Sequence, residues 1–583
     1  MTDPLDARPG PAPGGQAFPT AESPLVGAPP PVRAKDFQYL GEVSAPDPAP
    51  EPDPADAVPT RERLLTALLG RRRLALGTSP NERLYGWLGT FAVVTLAAFL
   101  RLWNLGRPHK LVFDETYYVK DAFTLWRLGF EAQWPNNPNP AFEAGHVNTY
   151  LDQAAYVVHP QVGKWLIGLG IELGGGATSS TAWRLMNAIV GIVAVLLVVR
   201  IARRLFSSTA MGLVAGLFMA VDGTSIVHSR VALLDQYVMF FVLVAFGCLL
   251  LDREQARRRL AERVAAIVDA GGSIDRYGPR LGFRWWRLAA GVSLGLACGV
   301  KWSGLWFVAV FGILTVLWDL AARRAAGIGR WWEDGLLADG LPAFLQLVPT
   351  AIVVYVASWW SWFATPGAYM RQWAAQNPGQ GITWLPDILR SWVQYHVQMW
   401  DFHTTLVSDH AYKSNPLGWI IQWRPTSFYW ERTDGTTPGC SSDCASAITS
   451  IGNPLLWWLA AAAIIAVIVL GIQRRDWRAL AVLSGTIAGW VPWVVTYQDT
   501  HRTVFTFYTI AFTPFVIFTL CYVGVVALEH FEGRARERRR VVIAIATVTV
   551  AIVVVSAAFY PIWTAQQVPF EYWRSLMWLR SWI

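Results

Sequence analysis

Asp114 and Glu115 form a carboxylate pair in the stretch Leu111-Val-Phe-Asp-Glu-Thr-Tyr-Tyr118, just past the first hydrophobic span. Ionisable groups beside lipid are costly to keep there and mark function by default. A carboxylate at that level can accept the proton of a hydroxyl that attacks a lipid-borne substrate. His159-Pro160-Gln161-Val162-Gly163-Lys164 follows in the same polar segment, and Arg184 opens the next span. His228-Ser229-Arg230 with Asp235, and Lys301-Trp302-Ser303-Gly304, fall at the ends of later spans. Together they read as a base with cations. Arg contacts phosphate bidentately, Lys acts as a point charge, and both stabilise charge developing on a departing phosphate. The plainer alternative is a set of separate interfacial ion pairs and snorkelling side chains.

The elements that must position these residues are apolar spans. The 583 residues are 53% hydrophobic and 15% charged, and several apolar runs reach roughly 20 residues, the length that crosses a bilayer. Spans are predicted at Leu84–Leu102, Trp183–Ile201, Ala210–Ile226, Gln236–Leu251, Trp286–Val300, Gly304–Leu320, Pro342–Phe363, Pro454–Ile472, Leu480–Thr496, Phe505–Ala527 and Val541–Tyr560. Basic clusters at 71–73, 203–204, 257–259, 323–324, 474–475 and 538–540 then fall on one side. Cytoplasmic loops carry such clusters, so the N-terminus is expected inside and the C-terminus outside. The net charge of +8 is accounted for in this way, without a nucleic-acid partner.

Two long segments, about 106–182 and 364–453, are expected outside, with the tail 563–583. Residues 1–59, rich in Pro and Ala, read as a disordered cytoplasmic tail, and no signal peptide is expected. Residues 60–83 read as a basic amphipathic segment on the membrane surface. The inner loops leave no room for a nucleotide-binding domain, and neither a Walker-type loop nor a dinucleotide glycine fingerprint is present. Most of the 32 tryptophans suit an interface belt, including Trp359 to Trp400. Cys440 and Cys444 can close a small disulfide if their loop is extracytoplasmic, a choice left open. Cys248, Cys298 and Cys521 lie in apolar runs as inert core residues.

The ordered motifs Phe113-Asp114-Glu115, His159-Pro160 with Gly163-Lys164, Arg230 with Leu234-Asp235, and Lys301-Trp302-Ser303-Gly304 resemble those of the protein O-mannosyltransferases. His410-Ala411-Tyr412-Lys413-Ser414, Trp423-Arg424-Pro425 and Arg502 with Phe505, Tyr508 and Pro514 continue the likeness, which spans about 84 to 560. The resemblance implies an all-α polytopic membrane protein of the type C glycosyltransferase (GT-C) fold, with about 11 transmembrane helices. It implies mannose transfer from polyprenyl-phosphate-mannose to Ser or Thr hydroxyls of exported proteins, outside the bacterial cell membrane. Asp114 is implied as base, with Glu115 supporting the acceptor. Lys164 and Arg184, and less directly Arg230 and Lys301, are implied to bind the donor phosphate. His159, Asp235, Tyr412, Ser414, Arg424, Arg502 and Tyr508 take supporting roles. The second outer segment is too short for the MIR domain of eukaryotic members, which points to the actinobacterial type. His410-Ala411-Tyr412 replaces the usual His-Pro-Tyr, and Phe507-Tyr508 replaces the eukaryotic His-Tyr.

One carboxylate base and several cations suffice for this reaction, because a lipid phosphate held by cations leaves without being protonated. In-line displacement predicts inversion at the anomeric carbon. No catalytic metal or other cofactor is expected beyond the lipid-linked donor. The bilayer and exported Ser/Thr-rich proteins are the expected partners, with contact to the secretion machinery a further one. Two rival functions follow from the same residues: a GT-C enzyme acting on a lipid or cell-wall glycan, and a lipid transporter. A transporter predicts polar groups at span centres and broken helices, whereas the polar residues here gather at span ends.

Overall fold

A computed structural model describes residues 59–275, 277–434, 440 and 443–583. The expected disordered tail lies outside them except for Pro59. Helix α1 (Thr60–Leu69) leads to α2 (Pro80–Leu102). The first polar segment carries α3 (Glu115–Leu128) and α4 (Val162–Leu173), and α5 (Ser180–Leu205) follows. Next come α6 (Thr209–Val221) and α7 (Gly223–Arg230), bent by 56°. Helices α8 (Asp235–Asp269), α9 (Trp285–Val300), α10 (Gly304–Ala325) and α11 (Glu333–Ala357) complete the first half. The second polar segment contains α12 (Asp387–Thr405) and strands β1 (Thr426–Thr433) and β2 (Cys444–Ser450). It is followed by α13 (Pro454–Arg474), α14 (Trp477–Thr500), α15 (Thr506–His530), α16 (Ala535–Trp563) and strand β3 (Gln567–Pro569).

Each predicted span lies mostly on one of these helices, except Ala210–Ile226, which crosses the bend between α6 and α7; Pro342–Phe363 runs past the end of α11 at Ala357. Among the described residues nine are long and apolar enough to cross a membrane, the bent α6–α7 pair makes a tenth candidate, and α9 is shorter. Helix starts follow local capping. The side chains of Ser179, Ser208, Asn453 and Asp476 accept backbone N–H groups at the first turns of α5, α6, α13 and α14, and so satisfy donors that a helix start leaves unpaired.

The break between α6 and α7 has a definite cause. Asp222 caps α7 by accepting the Ser225 N–H at 3.1 Å, and it also accepts the Asn453 N–H and Trp457 Nε1–H at 3.0 Å each. Gly223 beside it tolerates no side chain, because a Cβ there would lie 2.2 Å from the Ile451 carbonyl and 2.3 Å from Trp563. A continuous helix would strand these donors. Two buried guanidiniums brace the same region. Arg101 donates to the Met219 and Ala220 carbonyls at the end of α6, and Arg230 donates to the Arg101, Trp103 and Asn104 carbonyls at the end of α2.

The two ends of the bundle differ in charge. At one, Arg73 and Arg204 share Glu254, Arg72 pairs with Glu529, and Asp252 and Asp319 are held between Arg284 and Arg287. Helix α1, in the segment expected on the membrane surface, packs Leu65 and Leu68 against Ala256, Leu260 and Val264 of the α8 extension. At the other end the strands form an antiparallel sheet in the order β1-β2-β3, with Cys444 opposite Thr433 and Pro569. Cys440 and Cys444 are disulfide-bonded. The tail after the last span therefore meets the second polar segment on one side, as the charge pattern requires. Trp359 and Trp362, expected in an interface belt, are buried with Tyr395 and Met399, while Trp384 and Trp400 are exposed.

Replacing Asp222 with Ala leaves three buried N–H donors without an acceptor, each costing about 1–3 kcal/mol. We expect a clear fall in the thermal unfolding midpoint of Asp222→Ala in detergent, and a smaller fall for Asp222→Asn, which keeps one carbonyl acceptor.

Candidate active site

Phe113 adopts a left-handed backbone (φ 50°), uncommon for a bulky residue and sustained only when the surroundings fix it. Its ring stacks on Phe428 of β1 at 4.6 Å and meets Phe507 edge-on at 5.3 Å. This turn delivers Asp114 and Glu115 to the start of α3. The two acids then have different surroundings.

Glu115 is fully buried. Arg184 grips it with Nε and Nη2, both at 2.8 Å, and the N–H groups of Ala232 and Val112 complete the set at 2.8 and 3.1 Å. Arg184 gives its remaining hydrogen bonds to the carbonyls of Leu105, Pro108 and Lys110. Its guanidinium is thus occupied by the fold. Arg230 is turned to the carbonyls at the end of α2 through its two Nη groups, and its buried Nε has no partner. Lys164 is buried in an ion pair with Glu131, which also accepts Gln161 Nε2–H at 3.2 Å.

Ala232 lies three residues before Asp235, so the Glu115 carboxylate ties the Asp114 turn to the start of α8. Asp235 accepts the Lys301 ammonium at 2.7 Å, and that ammonium lies 5.3 Å from the Tyr508 ring centre. Burial raises the Asp114 carboxyl to about 6, while Lys301 and a hydrogen bond from Tyr118 pull it down and Asp235 pushes it up. A base of that affinity is well matched to neutral pH. One helical face further, burial raises Asp121 to about 7, against the pull of Lys164.

Lys301 and Asp235 line a cavity of about 430 Å³ together with His159, His403, Arg502 and Tyr508. The rest of its wall is apolar: Leu305, Trp306 and Phe307 from α10, and Gly489, Pro492 and Trp493 from α14. Leu305 and Trp306 are exposed at its lip. His403 donates to the Val158 carbonyl through Nε2 at 2.8 Å and accepts from Arg502 Nη2 through Nδ1 at 3.1 Å. The ring stacks on His159, with centroids 5.2 Å apart. Burial and then Arg502 lower His403 to about 4, and burial and the surrounding cations hold His159 well below its ordinary value. Both rings are neutral at physiological pH. Arg502 keeps a buried Nε–H without a partner.

Tyr412, Ser414 and Arg424 stand elsewhere. Ser414 accepts Trp419 Nε1–H, and Arg424 donates to carbonyls of Ala411, Ser581 and Ile583 while lying over the Tyr412 ring. They brace the second polar segment against the tail. His403, Trp306, Trp493 and Phe428 are site components that the motifs did not single out. Among the described residues no group of three or more His, Cys, Asp or Glu side chains is placed to hold a metal ion.

Removing one member of the buried Glu115–Arg184 pair strands the other, at a cost of about 3–5 kcal/mol. Glu115→Gln and Arg184→Met should each lower the unfolding midpoint, and the double variant should lose less than the two losses added. Additive losses would show that the two groups do not depend on each other.

Known proteins share this arrangement of the chain. Residues 144–362 match the family described as dolichyl-phosphate-mannose-protein mannosyltransferase, and residues 388–582 match the C-terminal four TMM region of protein-O-mannosyltransferase. The polyprenol-phosphate-mannose--protein mannosyltransferase of Mycolicibacterium smegmatis is 36% identical over 86% of this chain and 94% of its own length. The protein of that name from Mycobacterium tuberculosis is 36% identical over 86% and 93%. In three dimensions the chain is similar to the S. cerevisiae protein O-mannosyltransferase Pmt1-Pmt2 complex bound to the sugar donor, with a TM-score of 0.65, 14% identity, and coverage of 88% of this chain and 94% of that one. The fold is that of the GT-C membrane glycosyltransferases, and the chain belongs to the protein O-mannosyltransferase family.

Proposed function

We propose that the protein transfers mannose from polyprenyl-phosphate-mannose to Ser or Thr hydroxyls of exported proteins, on the outer face of the bacterial cell membrane. The observation that carries this reading is the cavity between α10 and α14, with apolar walls and Lys301 and Arg502 at its polar end. Such a site suits an isoprenoid chain lying between two spans with its phosphate at the cations. The side assignment rests on the arginine clusters at the opposite end of the bundle.

In this mechanism Asp114 accepts the proton as the acceptor oxygen forms its bond to the anomeric carbon. The bond from that carbon to the phosphate oxygen breaks, and its electron pair leaves with the polyprenyl phosphate. Lys301 and Arg502 hold the departing phosphate, as cations do at developing charge. Asp235 positions Lys301, and neutral His403 positions Arg502. Glu115 positions Asp114 rather than touching the acceptor. Lys164, Arg184 and Arg230 act on the frame, with Tyr412, Ser414 and Arg424. Attack from the face opposite the phosphate inverts the anomeric configuration.

The test is mannose transfer by purified protein from polyprenyl-phosphate-mannose to a Ser/Thr-rich peptide. Asp114→Asn should lower the rate by roughly 10²–10⁴-fold with folding intact, whereas equal rates would remove Asp114 as base. A glycan acceptor working where the peptide fails would overturn the acceptor assignment. NMR of the glycopeptide should show inverted linkage. Below pH about 6 the Asp114 carboxyl already carries the proton it must accept, so the wild-type rate should fall as pH falls through that value. Arg502→Ala should raise the KM for donor more than that for peptide.

A further inference from the structure

A second cluster lies at the opposite, arginine-rich end of the bundle. Arg253 of α8 is buried between two tryptophans, its guanidinium carbon 3.4 Å from the Trp477 ring centre and 5.7 Å from that of Trp318. No protein acceptor among the described residues hydrogen-bonds it. Its Nε is fully enclosed without a partner. The nearby carboxylates are all engaged elsewhere: Glu254 by Arg73 and Arg204, Asp319 by Arg284 and Arg287, and Asp476 by Arg478.

Arg257, one turn along α8, repeats the pattern. It is buried, gives Nη1 and Nη2 only to the neutral carbonyls of Leu68 and Trp318, at 2.8 and 3.3 Å, and leaves Nε unpartnered. Trp318 Nε1–H is a third buried donor without an acceptor. Arg253 and Arg257 lie close enough to repel each other, and with the Trp318 indole they have no hydrogen-bonded carboxylate, while Glu254, Asp319 and Asp476 act on Arg253 only through space. The tryptophan faces offset part of the desolvation of Arg253, but ring faces accept no in-plane N–H bonds. A buried guanidinium without a hydrogen-bonded counter-ion is costly, and a bound anion would lower that cost.

We propose that Arg253, Arg257 and Trp318 form a binding site for a phosphate group, separate from the cavity at the other end of α10 and α14. Planar guanidiniums suit phosphate oxygens. Basic pockets between span ends on the cytoplasmic side take lipid headgroups of this chemistry. A phospholipid headgroup and free phosphate are the two sources of the same ligand.

The experiment follows thermal unfolding of the full-length protein in detergent with added phosphatidylglycerol, phosphatidylcholine or inorganic phosphate. Phosphatidylglycerol, beyond phosphatidylcholine, should raise the midpoint by about 2 °C or more, and Arg253→Met should lose that increment. An increment from inorganic phosphate as well, lost in the same variant, assigns the site to the free anion. Native mass spectrometry of the wild type gives a readout independent of the variant's folding: retained phosphatidylglycerol or phosphate is expected, and Arg257→Gln should reduce it. No selective increment and no retained ligand, or a full increment in Arg253→Met, would overturn the proposal.

Discussion

The site depends on one buried carboxylate. Glu115 receives two hydrogen bonds from Arg184, one from the Ala232 N–H and one from the Val112 N–H. Those four contacts join the turn after α2, the start of α5 and the strand-like link between α7 and α8. None of these segments can shift without breaking a charge-assisted bond in a dry interior. The neighbouring acid gains its position from this arrangement: Asp114 lies close enough to Asp235 and Lys301 to be acted on by both, because Glu115 holds the two chain segments together.

A second constraint acts from outside the bundle. Phe113 keeps its left-handed turn because Phe428, Phe505 and Phe507 surround the ring. Phe428 belongs to β1, whose partner β2 is pinned by the Cys440–Cys444 bridge and by β3 from the tail. The sheet thus has a mechanical part in the site although it contributes no side chain to the cavity. Phe507 serves this aromatic packing.

What could be read from the chain alone follows the range of the interactions involved. The spans were legible because hydrophobic length is a local property, and the break at Asp222 was not, because its cause lies at Asn453 and Trp457. The acid pair stood out because charge near lipid is rare. The partners of Arg184 and Arg230 were not legible, since a sequence shows a guanidinium but not the carbonyls it reaches. Strand β1, Thr426–Thr433, has aromatic and β-branched residues that favour extended chain, yet its pairing with β2 and then with residues 567–569 is non-local and left no pattern. Arg502 was visible as a motif residue. His403, which orients it, sits among tryptophans that read equally well as an interface belt.

The charges at the polar end bear on the proposed roles of one base and two cations. Lys301 is balanced by Asp235, both histidines are neutral, and Arg502 stands opposite Asp114 in the overall count. In the proposed transfer the negative charge that vanishes from Asp114 on protonation reappears on the polyprenyl phosphate as its ester bond breaks. The total charge of the enclosed site is therefore the same before and after the step. Only its position changes, from the acid beside the acceptor to the phosphate beside Lys301 and Arg502. A low-dielectric site resists any change in its total charge far more than a redistribution between groups already facing fixed partners. Neutral histidines are consistent with this arrangement, because a protonated ring would favour the phosphate product and also the ionised form of Asp114, and so would work against the proton transfer it accompanies.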